Sequence, residues 1–94
     1  MSFKKLRGVH LPEEKQGLVR FSCLNYATQP KQTKEKIQRL CDECGGAYSA
    51  ALMEVMCTKK SVSGVAMKYH VSESVLYRAR KEFYESWFGL WREN

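Results

Sequence analysis

The stretch from Val62 to Lys81, read VSGVAMKYHVSESVLYRARK, constrains this chain more tightly than any other part of it. Val62, Val65, Ala66 and Tyr69 recur at offsets of 3, 4 and 7, which places them on one face of a short helix. Val71 follows as the plug of a turn. Leu76, Ala79 and Phe83 then make the inward stripe of a second helix. Ala66 is small, so the second helix can cross the first at close range. Ser61 and Ser72 stand just ahead of the two helices, where a hydroxyl accepts from an orphan N–H of the first turn. His70 occupies a turn position that needs a positive φ and is more often Gly. His tolerates that conformation better than a β-branched residue and worse than Gly. The pattern is a helix-turn-helix. The same spacing also suits a helical hairpin in a small bundle, with a charged face that only meets water.

The second helix presents Glu73, Ser74, Tyr77, Arg78 and Lys81 outward. Ser74, Tyr77 and Arg78 are side chains that hydrogen-bond base edges, and Lys81 is a phosphate-binding type further along. Ser72 would combine capping with a phosphate contact. Lys59 and Lys60 precede the first motif helix and Lys68 lies near its end, all placed for the backbone of a duplex. The charge supports a polyanion partner. The chain has 94 residues and a formal charge of +6. Between 59 and 81, Lys59, Lys60, Lys68, Arg78, Arg80 and Lys81 face only Glu73. Residues 1–39 carry a further excess of Lys and Arg, whereas the two signs balance over 40–94. Charge focused on the motif counts for more than the total.

Around the motif the reading is all-α. Lys31–Cys44 carries Ile37, Leu40, Cys41 and Cys44 on one stripe, with Thr33 as its expected cap, and Gly45-Gly46 ends it. A helix over 47–58 turns Tyr48, Leu52, Val55 and Met56 inward. The last helix is expected over 73–91. Its second half carries Phe83, Trp87 and Leu90/Trp91 on the inward stripe and Tyr84, Phe88 and Trp91 on an adjacent one. A helix aromatic on two faces needs two partners: either one wide core, with residues 18–26 covering the second stripe, or a second subunit in a homodimer. Residues 1–30 read as an N-terminal arm or short element. Pro12-Glu13-Glu14 suits a helix start, and Leu18, Phe21 and Leu24 recur at spacings of three, although 18–24 could also be a short strand. Gln29-Pro30 breaks the chain. The expected organisation is therefore an arm over 1–30 and a helical DNA-binding domain over 31–94. Its fold is a small helical domain containing a tri-helical helix-turn-helix and a long C-terminal helix.

Other function classes find less support. No apolar run approaches the ~18–20 residues that cross a bilayer. The charged N-terminus has no apolar stretch after it, so no signal peptide is expected and a cytoplasmic protein follows. Cys41-Asp42-Glu43-Cys44-Gly45 has the shape of half a zinc knuckle, but a structural zinc needs four ligands. The other candidates, Cys23, Cys57, His10 and His70, are single and dispersed. Cys41 and Cys44 also share the apolar stripe, where free Cys acts as a small hydrophobe. No metal or cofactor is expected. No nucleophile–base pair, carboxylate pair or phosphate loop appears, so the chain does not read as an enzyme.

Residues 47–83 resemble the helix-turn-helix units of small phage and mobile-element transcription regulators and the DNA-binding region 4 of sigma factors. Thr58-Lys59-Lys60-Ser61, Val65-Ala66, Tyr69-His70-Val71-Ser72 and Leu76-Tyr77-Arg78 carry the resemblance. It implies binding of double-stranded DNA with the last helix in the major groove. Regulators of this sort include late-gene activators and antitermination factors, which touch RNA polymerase as well as DNA. Residues 1–46 match no such pattern. The rival expectation is a protein–protein adaptor that binds through the aromatic C-terminal helix.

Overall fold

The computed structural model describes Val9 and residues 11–89. These form five helices: α1 (Glu13–Leu24), α2 (Lys31–Gly45), α3 (Ser49–Cys57), α4 (Val62–Tyr69) and α5 (Glu73–Trp87). Short 3-10 turns at Tyr26–Thr28 and Gly46–Tyr48 link the first three, and no strand occurs among the described residues. The fold is all-α, and no described helix is long and apolar enough to cross a membrane.

α3 is the hub. It is the most apolar helix, and it buries Ala51, Leu52, Val55 and Met56 against α1, α2, α4 and α5. α2 lies along it through Ile37, Leu40 and Cys41. The two helices meet closely at their connection, where a Cβ on Gly45 would stand 3.3 Å from Leu52 Cδ2. Gly46 makes the turn at φ 55. Two expectations fail here. Thr33 does not cap α2, which begins at Lys31 behind Pro30 with no side-chain cap. Proline presets the extended entry, and the first helical N–H groups need no hydroxyl when they face water. Tyr48 does not point inward: it ends the 3-10 turn and is exposed, because α3 starts only at Ser49.

The arm expected over 1–30 is, in its described part, a helix packed into the same core. α1 contacts α3 and α5, and Val9 and Leu11 join the buried cluster. The buried Gln16 ties the segment before α1 down, its Nε2 donating to Leu11 O at 3.0 Å. The expected apolar stripe is wrong, however. Leu18 and Phe21 are 51% and 64% exposed, while Gln16, Val19, Ser22 and Cys23 face inward. The rotation follows from Arg20, whose guanidinium donates to Val55 O and Met56 O at 2.9 Å and to Thr58 O at 3.0 Å. Those are the orphan carbonyls at the end of α3. Satisfying them turns the small residues Val19 and Cys23 into the interface and the large ones out.

The motif itself forms as the spacing requires. Ser61 Oγ accepts from Gly64 N at 3.0 Å, and Ser72 Oγ accepts from Val75 N at 3.3 Å. Val62, Val65 and Ala66 are buried in α4, with Tyr69 and Val71 partly buried against them. α4 closes on His70, at φ 58 and ψ 44. Val71 N bonds Ala66 O at 3.0 Å and His70 N reaches Met67 O at 3.4 Å, the paired bonds of a Schellman turn.

α5 buries Leu76, Ala79 and Phe83, and also Tyr84, which is only 2% exposed. Of the second aromatic stripe, Tyr84 is thus inside the fold and Phe88 is partly buried, with Lys15 Nζ of α1 5.1 Å from its ring centroid. Trp87 packs at the margin, its ring centroid 6.1 Å from that of Phe83. The helix ends at Trp87, not Trp91, and the chain turns through Gly89 at φ 81. Leu90 and Trp91, expected on the inward stripe, lie outside the described residues.

A non-glycine residue held in the left-handed region costs about 1 kcal/mol or more. His70→Gly should therefore raise unfolding stability by up to about 1 kcal/mol, partly offset by the greater freedom of glycine in the unfolded chain. His70→Val should lower it. Urea denaturation followed by circular dichroism measures both.

Candidate nucleic-acid interface

The first two turns of α5 expose Glu73, Ser74, Tyr77 and Arg78, as the stripe of Leu76 and Ala79 dictates. Ser72 and Ser74 share a hydroxyl hydrogen bond at 3.0 Å, so the capping serine also orders its neighbour. Arg78 makes no hydrogen bond or ion pair with any described residue and stands free in solvent. Tyr77 is 46% exposed. One side of its ring is covered by the Arg80 guanidinium, 5.1 Å from the centroid.

The lysines divide. Lys59 is exposed in the α3–α4 turn. Lys60 and Lys68 are not the unencumbered cations that the sequence suggests. Both converge on Glu54 of α3, with Lys60 Nζ 2.6 Å from Oε2 and Lys68 Nζ 3.1 Å from both carboxylate oxygens. Tyr69 Oη donates to the same carboxylate at 2.9 Å. Two cations and one anion leave a net single positive charge for a polyanion. Lys81 Nζ lies 3.6 Å from the buried carboxylate of Glu85, one turn along α5, so it sits at the flank of the exposed face and is already paired.

Glu54 therefore fastens the α3–α4 turn and both ends of α4 to one point. Hydrogen bonds from Lys60, Tyr69 and Lys68 hold its carboxyl down to about 2. Sequence reasoning missed this residue and Arg20. The available signals were an isolated acid in the apolar helix SAALMEVMC and an isolated arginine between Val19 and Phe21.

The cysteines show other partners. Cys41 Sγ lies 3.6 Å from Met53 Sδ, and Cys44 Sγ lies 3.9 Å from Ser86 Oγ. Burial pushes the Cys41 thiol up to about 12 and raises Cys44 as well. Cys23 and Cys57 are free cysteines, and the neighbouring Cys57 thiol together with burial raises that of Cys23. Among the described residues no group of three or more His, Cys, Asp or Glu could hold a metal ion. A shallow concavity of about 590 Å³ lies between α2 and the end of α5, where Lys36 Nζ stands 4.2 Å over the Trp87 ring. It is at the opposite end of α5 from Ser72–Arg78. Comparison with protein-family models, curated proteins and solved structures finds no match to this chain.

The Glu54 carboxyl is lower in the folded protein than its usual value of 4.5, so its contribution exists above that pH and is lost as pH falls toward about 2. Glu54→Gln should lower stability at neutral pH and flatten the loss of stability on acidification from about pH 5 downward. Denaturant midpoints of both proteins across that range test this. Parallel curves for wild type and variant would remove Glu54 from its position as the tie.

Proposed function

We propose that this chain is a sequence-specific DNA-binding transcriptional regulator that inserts the first half of α5 into the major groove of double-stranded DNA. The observation that carries the reading is the face of α5: Arg78 unpaired and extended beside exposed Tyr77 and Ser74, at the start of a helix held by its own N-cap. Arg78 offers the bidentate fork that matches guanine, and Ser74 and Tyr77 add hydroxyls at neighbouring positions. Ser72, Lys59 and Lys81 would face the sugar–phosphate backbone, Lys81 by exchanging part of its pairing with Glu85. Lys60 and Lys68 contribute a long-range field reduced by Glu54. The reading is of a binding protein, not an enzyme.

An adaptor remains the second reading, but on a different surface. Phe83 and Tyr84 lie inside the fold, whereas Leu18 and Phe21 stand exposed on α1. A protein contact would use that α1 face.

Selection of duplexes from a random library with the purified chain tests the main reading. A converged motif supports it, and a palindromic one would indicate two copies per site. Against the selected duplex, Arg78→Ala should cost about 1–3 kcal/mol and relax specificity at one position. The affinity of the wild type should fall steeply with salt. Unchanged affinity and specificity in Arg78→Ala would show that this face does not read DNA. A flat salt dependence would favour the adaptor.

A further inference from the structure

Among the described residues, Arg80 is the cation of the motif that is half-buried with no carboxylate beside it, and no described hydrogen-bond acceptor pairs with it. Its neighbours in charge behave differently: Arg20 is spent on three carbonyls, Lys60 and Lys68 on Glu54, and Lys81 on Glu85. The surroundings of Arg80 are Tyr77, Tyr84 and Arg20. Burial first, and the Arg20 guanidinium in addition, push it below the usual arginine range. A charge desolvated beside a second charge of the same sign is costly unless an anion completes the site.

The position suits one. Arg80 lies against the ring of Tyr77, its guanidinium carbon 5.1 Å from the ring centroid, and no described acceptor takes its N–H groups. Arg20, behind it, is bonded to Thr58 O, and Thr58 is followed by the exposed Lys59. A basic track therefore runs from the α3–α4 turn past Arg20 to Arg80 and on to the α5 face.

We propose that Arg80, packed against Tyr77 with Arg20 nearby, is a backbone anchor that takes a phosphodiester of duplex DNA on the flank of α5 beside the reading face. This rests on the DNA-binding reading and assigns to Arg80 the sequence-independent share of it. A guanidinium is the fitting group, since it both stacks and presents two parallel donors to phosphate oxygens. Arg20 acts as a positioning residue: its positive field adds to the attraction of this flank for an anion, while its own donors are already committed to backbone carbonyls.

The test is a fluorescence anisotropy titration of the full chain against the selected duplex and a scrambled duplex over a range of salt. Arg80→Gln should weaken both complexes by the same factor, on the order of tenfold, and reduce the log–log salt slope by about 0.9, one phosphate contact. Arg80→Lys should keep the slope and lose less affinity. Circular dichroism confirms that each variant is folded, and Arg80→Met, which keeps the aliphatic stem, replaces Arg80→Gln if that one is not. A DNA-binding wild type with unchanged slope and affinity in the neutral variant overturns the anchor and leaves DNA binding standing. Loss confined to the selected duplex overturns it too, because Arg80 would then be reading bases. Failure of the wild type to bind either duplex overturns both readings.

Discussion

The end of α3 is the point on which the rest of this small protein depends. A nine-residue helix cannot persist alone in water, and its last carbonyls have no partners within the helix. Here Arg20 of α1 takes the carbonyls of Val55, Met56 and Thr58, while Glu54 collects Lys60, Lys68 and Tyr69 from the turn and helix that follow. Two charges of opposite sign, one turn apart, thus bind the elements before and after the hub to it. Each bond to a charged group is stronger than a neutral one. The arginine is also partly shielded from water, which keeps its carbonyl bonds from being exchanged for solvent.

From that anchor the orientation of the motif follows. α4 is pinned at both ends to Glu54, through Lys60 ahead of it and Lys68 and Tyr69 at its close. The left-handed His70 then sets the angle at which the chain leaves α4, and Ser72 starts α5 two residues later. α5 has little freedom left, because Leu76, Ala79 and Phe83 must meet α3 while Tyr84 meets α1. The face opposite those four residues is exposed by default in the first half of the helix. In the second half α1 packs against the helix. That difference explains why one helix can be solvent-facing at its start and a core element at its end.

Periodicity made the motif legible, since Val65, Ala66, Leu76 and Ala79 can be buried together in only one way, and serine and histidine at the turns fit their backbone roles. It failed where polar groups set the geometry. In α1 hydrophobic size suggests Leu18 and Phe21 as the inner face, whereas the rotation follows Arg20, which bonds carbonyls of α3 far away in sequence, and Gln16, which bonds the segment just before the helix. A stripe count has no access to bonds of that range. Lys60 and Lys68 were misread for the same reason. Nothing in their local sequence places Glu54 between them, and Glu54 itself sits in a run of apolar residues where its outward direction is not marked. The end of the last helix was overextended because aromatic residues continue the pattern past Gly89, and the glycine's positive φ outweighs it.

The internal pairing changes what the motif could offer a nucleic acid. A tally of basic residues between 59 and 81 suggests a strong, diffuse attraction to phosphate. With Lys60 and Lys68 shared on Glu54 and Lys81 on Glu85, the cations left without an acidic partner are Lys59, Arg78 and Arg80, and two of those are arginines on α5. In the proposed complex with DNA, such a surface would release fewer counterions than the tally suggests, so the sequence-independent share of binding would be smaller. A larger share of the affinity would then fall to contacts that need matched geometry, which arginine supplies and lysine does not. Discrimination between sites is a difference of affinities, and lowering the sequence-independent part widens it without any added base contact. On the proposed function, Glu54 would serve specificity as well as stability: it fastens α4 and would withhold two lysines from a DNA backbone.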